Sequence, residues 1–135
     1  MDELTMLISC TEYYSHLKNI PGNKVFLSFD KNGMVKTLLE SRALFPDMDL
    51  EFYIGMLDGL MAMESDAEEN AYAHYAERTA LLLDVIARIA KKHHMDAEEA
   101  CRMYYASRTA EAVAEDFTKY YQKSPEEIYE AVEKE

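Results

Sequence analysis

From Ala80 to Ala90 the chain is apolar at nearly every position, and only Asp84 and Arg88, with Lys91 just beyond, leave a thin polar strip. A helix with so little polar surface has to be enclosed by other elements. The rest of the chain must therefore supply amphipathic pieces that wrap it. Upstream, Tyr72, Tyr75, Thr79, Leu82, Ile86 and Ile89 recur at helical spacing, with Ala76, Leu83 and Ala90 beside them. Ser65 stands three residues before Glu68, the pattern in which each side chain covers the other's free backbone N–H. Acidic Glu64, Asp66, Glu68 and Glu69 at the start, and Lys91, Lys92, His93 and His94 at the end, complement the helix dipole. These signals predict one helix over residues 65–94, roughly 40 Å long at 1.5 Å per residue, as the hub of the core.

The flanking segments carry the matching stripes. Residues 4–18 place Leu4, Leu7, Ile8, Thr11, Tyr14 (or Cys10) and Leu17 on one side, and Asn19-Ile20-Pro21-Gly22 ends that helix. The next helix turns Val25, Phe26 and Phe29 inward and closes at Gly33, a natural left-handed residue. Residues 34–44 follow with Val35, Leu38 and Leu39. A helix starting near Asp47 or Asp49 then carries Leu50, Tyr53, Ile54, Leu57, Leu60 and Met61. Within it, Gly55 and Gly59 are spaced for close helix packing. Beyond the hub, Asp96 with Glu99 opens one helix, and Ser107 caps another bearing Ala110, Val113, Ala114 and Phe117. Ser124-Pro125-Glu126-Glu127 starts the last one, with Ile128, Tyr129 and Val132 as its packing side. No segment alternates with period two. The fold class expected is all-α, about seven helices around the 65–94 helix.

A shift of 75 residues lays Val25 on Ala100, Phe29 on Tyr104, Val35 on Ala110 and Leu38 on Val113, while a shift of 76 lays Phe52 on Ile128 and Tyr53 on Tyr129. The chain is accordingly expected to be a single domain of 135 residues holding two degenerate units, 4–62 and 80–135, related by a pseudo-two-fold.

Function is narrowed mainly by exclusion. The net charge of −12 speaks against phosphate backbones and anionic membranes as partners, because both need clustered Lys and Arg. No apolar run is long enough to span a bilayer, and the first residues lack a signal-peptide pattern. Cys10 and Cys101 stand alone, which points to a reduced, cytoplasmic setting. His93 and His94 are adjacent and diverge on a helix, and there is no H-x-x-x-H, C-x-x-C or E-x-x-H, so no metal site is expected. Glycine-rich phosphate loops and G-x-S-x-G are absent, so neither a cofactor nor a catalytic residue is assigned. The tyrosine doublets at 13–14, 104–105 and 120–121 are the most suggestive feature, because adjacent helical residues diverge and one of each pair is expected at the rim. Tyr14, Tyr105 and Tyr121 are the candidate interaction residues, since tyrosine offers large contact area at low entropy cost. Met48, Met56, Met61 and Met63 could add an adaptable contact surface.

The run Met103-Tyr104-Tyr105-Ala106-Ser107-Arg108-Thr109, followed by Asp116, Tyr120 or Tyr121, Ser124-Pro125 and Ile128-Tyr129, resembles the C-terminal pattern of a family of short, all-helical bacterial proteins of unknown function. Pro21-Gly22-Asn23-Lys24-Val25, with Phe29, Lys31, Gly33, Val35 and Phe52-Tyr53-Ile54, is similar to a related pattern in that family. The likeness covers most of the chain except roughly 62–80. It departs from the pattern at Ala43-Leu44-Phe45-Pro46, where the family often has a histidine. Members are often encoded beside proteins with an ADP-ribosyltransferase-like fold. The resemblance implies no activity, only a partner protein. The function expected is thus a cytosolic protein-interaction module, partner or antidote of a neighbouring toxin-like enzyme or associated with copies of itself. Two alternatives stand beside it: an acidic nucleic-acid mimic that occupies a basic protein, and a small-molecule binder or enzyme.

Overall fold

Five of the described helices start at a neighbouring side chain that satisfies a free N–H group of the first turn. The computed structural model describes residues 1–61, 63 and 72–135. Among these it holds eight α-helices and no strand: α1 (Glu3–Lys18), α2 (Gly22–Lys31), α3 (Met34–Leu44), α4 (Leu50–Leu60), α5 (Tyr75–His93), α6 (Ala97–Tyr105), α7 (Arg108–Ala114) and α8 (Pro125–Glu133). Two single turns of 3-10 helix, Asp116–Thr118 and Tyr120–Gln122, join α7 to α8. Asp2, Asp49, Asp96, Ser107 and Ser124 each accept a hydrogen bond from a first-turn N–H. Around Asp96 and Ser124 the capping box is complete, with Glu99 and Glu127 reaching back. None of the described helices is long and apolar enough to cross a membrane.

The hub is shorter than the sequence suggests. Tyr72 to His74 form a turn, and α5 begins at Tyr75. The proposed Ser65–Glu68 cap, with 65–71, lies outside the described residues. At the observed start Asp116 substitutes for a local cap: its Oδ2 accepts from the His74 backbone N–H and lies against His74 Nδ1, both at 3.1 Å. A carboxylate at a helix N-terminus also complements the dipole. The nineteen residues of α5 span about 28 Å.

Nor is α5 enclosed all round. Leu81, Leu82, Val85, Ile86 and Ile89 are buried, whereas Ala80, Asp84, Ala87, Arg88 and Lys91 face solvent. Alanine costs little when exposed, so a stripe is enough. Through that stripe α5 packs on α1, α6 and α8, while α1 also packs on α2, α4 and α6. Pairs such as Glu12–Arg78 and His16–Tyr75 show that α1 and α5 run antiparallel.

Several buried positions recur at an offset of 75. Buried Met6, Leu7, Cys10, Thr11 and Tyr14 of α1 correspond to buried Leu81, Leu82, Val85, Ile86 and Ile89 of α5. Asn19 and His94, also 75 apart, both end their helices in the left-handed conformation, and Ile20 N–H and Met95 N–H each reach back to the helix to close the turn. The same offset pairs Tyr53 with Ile128 and Leu57 with Val132, all buried.

Several inward assignments fail. Leu17 and Leu60 are exposed, and Phe117 is 82% exposed because α7 stops at Ala114 and the chain turns away in the first 3-10 segment. At Gly55 and Gly59 an added Cβ would meet nothing within 4 Å, so they mediate no close packing among the described residues.

Candidate functional site

Two features concentrate chemistry: a buried charge cluster and an exposed apolar corner. The cluster starts with Glu12, on the inward face of α1 between Ile8 and Ser15, and Arg78, on the inward face of α5; each is about 1% exposed. The Arg78 Nε donates to the Val113 carbonyl at 2.8 Å, and its Nη2 pairs with Asp116 Oδ1. Tyr105 donates its hydroxyl to Glu12 Oε2 at 2.8 Å. The facing atoms, Glu12 Oε1 and Arg78 Nη1, are 3.8 Å apart, too far for a hydrogen bond, and neither has a protein partner. At the outer edge His74 stacks on Tyr121, ring centroids 4.2 Å apart.

Burial pushes the Glu12 carboxyl above the ordinary glutamate value, against the opposing pull of the Arg78 guanidinium and the Tyr105 hydroxyl. Burial also pushes Asp116 up, but hydrogen bonds from His74 and the Arg78 charge outweigh it, and its carboxyl sits below the usual value. The cluster thus ties α1, α5, α6 and the α7–α8 connection at one point. No described His, Cys, Asp or Glu residues form a group of three that could hold a metal ion. Cys10 and Cys101 are buried free thiols pushed up to about 12 by that burial.

The tyrosine candidates are dispersed, and two of the three face inward. Tyr14 is buried; its hydroxyl lies 3.1 Å from both Asp58 Oδ1 and the Met61 carbonyl and accepts from Met63 N–H at 3.2 Å. Tyr105 is buried together with Tyr104, contrary to the expected split of that doublet. The reason is that α6 is covered by α1, α2, α5 and α7, so neighbouring positions both find a partner. Tyr105 also stacks on Phe26 at 4.7 Å. Tyr121 alone stays half-buried. Neither Tyr14 nor Tyr105 presents its ring to a partner of the folded chain.

At the corner between α3 and α4, sequence reasoning picked out Met48 among the contact methionines but missed Leu44 and Phe45. Leu44, Phe45 and Met48 are 73%, 51% and 41% exposed within five residues. The turn is fixed rather than loose. Phe45 accepts at its carbonyl from the hydroxyl of buried Tyr53 (2.6 Å), Met48 N–H reaches the same carbonyl at 3.4 Å, and the Phe45 ring meets Phe52 edge-on at 5.8 Å. Exposed Asp47, Asp49 and Glu51 rim it. The usable signal was the pair Leu44-Phe45 directly before a proline, where no helical stripe could turn both inward. Comparison with protein-family models, with curated proteins and with solved structures finds no match.

Proposed function

We propose that this chain is a cytoplasmic protein-interaction module, and, following the resemblance noted above, the partner or antidote of a toxin-like enzyme encoded beside it. One observation carries the reading: three large apolar side chains left in large part outward on a pinned turn. Isolated exposed apolar residues are ordinary, but a preformed apolar corner is how a contact surface keeps its ordering cost low. The buried polar groups support the same reading, because Glu12, Arg78, Tyr105 and Asp116 are engaged with one another in joining helices.

The acidic-mimic alternative draws less support. Asp2, Asp49, Asp96, Glu99, Glu127 and Glu135 serve helix starts, and Asp30, Asp58, Asp84, Glu98 and Glu133 pair with cations. Local demands explain where these carboxylates stand. The test is co-expression with the product of the adjacent gene, followed by affinity capture and size-exclusion chromatography. A stoichiometric complex is expected. Recovery of the bare chain at low salt would refute the reading.

A further inference from the structure

An exposed apolar corner is only half of a recognition surface; the charge around it decides what can approach. Between residues 43 and 61 the chain has four acidic residues, Asp47, Asp49, Glu51 and Asp58, and no Lys, Arg or His. Arg42, the nearest cation before it, is occupied with the Met1 carbonyl at 2.7 Å, and Lys18 reaches in from α1 only to pair with Asp58 at 3.1 Å. At the corner itself the exposed side chains of Asp47 and Glu51 make no hydrogen bond or ion pair among the described residues, while Asp49 is spent on the Phe52 N–H.

Resting on the interaction reading above, we infer that the α3–α4 corner receives an amphipathic, basic segment of another protein, with apolar side chains seated on Leu44, Phe45 and Met48 and Lys or Arg facing Asp47 and Glu51. A second copy of the chain does not fit. A two-fold contact brings the same patch onto itself and would press like charges together, an arrangement that costs binding energy. An anionic bilayer is repelled for the same reason. A basic segment gains on both counts, since its apolar side is buried and its charges are steered by the surrounding field. The Tyr53–Phe45 clasp holds the receiving turn in place beforehand, so little ordering is left to be done on binding.

The probe is a synthetic amphipathic helix with leucines at every third and fourth position and lysines elsewhere. Its shuffled isomer has the same composition but no apolar face. Binding to the full chain is followed by fluorescence anisotropy at low and at physiological ionic strength. The amphipathic peptide should bind and its isomer should not. Leu44→Ser and Met48→Ser should each weaken binding about tenfold or more, as expected for an apolar contact removed from an interface. Phe117→Ser, which removes a still more exposed apolar side chain elsewhere, should leave it unchanged. Asp47→Asn with Glu51→Gln should flatten the salt dependence. Circular dichroism of each variant checks that the fold persists. Equal binding of the two peptides, or binding untouched by Leu44→Ser and Met48→Ser, overturns the assignment. So does self-association, seen by sedimentation, that these substitutions abolish. If the native partner still co-purifies with Leu44→Ser, the interaction reading stands and the corner assignment falls.

Discussion

Replacing Arg78 with methionine tests whether the charge cluster is what binds the two halves together. The side chain is about 1% exposed, donates to the Val113 carbonyl, pairs with Asp116 and lies against Glu12. Methionine of similar length fills most of the volume, so the loss is mainly electrostatic. It leaves Glu12 buried with only the Tyr105 hydroxyl, and breaking a buried pair from one side typically costs about 3–5 kcal/mol. Asp116 is partly open to solvent and keeps its His74 bonds, so it adds less. The loss should depend on pH. Because the folded-state value of Glu12 is raised, its charged form opposes folding; the group does least harm below the ordinary glutamate range, and stability falls as pH rises from the unfolded towards the folded value. Arg78 restrains that rise, so without it the decline is steeper and extends higher. Urea unfolding followed by circular dichroism should show the full deficit near neutral pH and a clearly smaller one at about pH 5, closer to the ordinary carboxyl range. The double variant Glu12→Gln/Arg78→Met removes both charges and should recover about 2 kcal/mol or more over Arg78→Met alone. Equal instability of the single and double variants at every pH would refute the reasoning.

Glycine substitutions should act with opposite signs: Gly55→Ala, whose Cβ meets nothing, should stabilise α4 by about 0.5–1 kcal/mol. Gly22→Ala, whose Cβ would stand 2.6 Å from Glu12 Oε2, should instead lose about 1–3 kcal/mol, because the displaced carboxylate is buried and held by Tyr105; thermal unfolding reads both. Cys10 and Cys101, whose burial keeps them as neutral thiols, should resist a thiol reagent in the folded protein and both react in denaturant; rapid labelling of the native chain would contradict their placement.

What the sequence made legible was local. Asp96, Ser107 and Ser124 announce their helices because a cap acts within three residues, and α3 runs from Met34 to Leu44 as its stripe predicts. The hub's inward residues were also readable, since Leu82, Ile86 and Ile89 keep helical spacing. What was not readable depends on partners far along the chain. Arg78 sits on the same inward stripe, but nothing near it says that Glu12, Asp116 and Val113 will meet it. The start of α5 could not be placed for the same reason, because the carboxylate beside it comes from Asp116. Phe117 is a different case, misassigned because a local turn ends α7: Thr118 turns its hydroxyl onto the carbonyls of Ala112 and Glu115, and Lys119 goes left-handed. Tyr14 and Tyr105 turn inward, unlike Tyr121, because a helix covered on several sides buries neighbours that diverge.

The bond between Tyr105 and Glu12 joins residues 93 positions apart, and this has a consequence for how the chain is made. A ribosome releases Glu12 long before α5 or α6 exists, so the first four helices emerge with an ionised side chain on a greasy seam and nothing to lay over it. Their shared seam stays uncovered until the second four arrive. Severed between the halves, the polypeptide should yield two fragments that are poorly ordered apart and regain helical order when mixed.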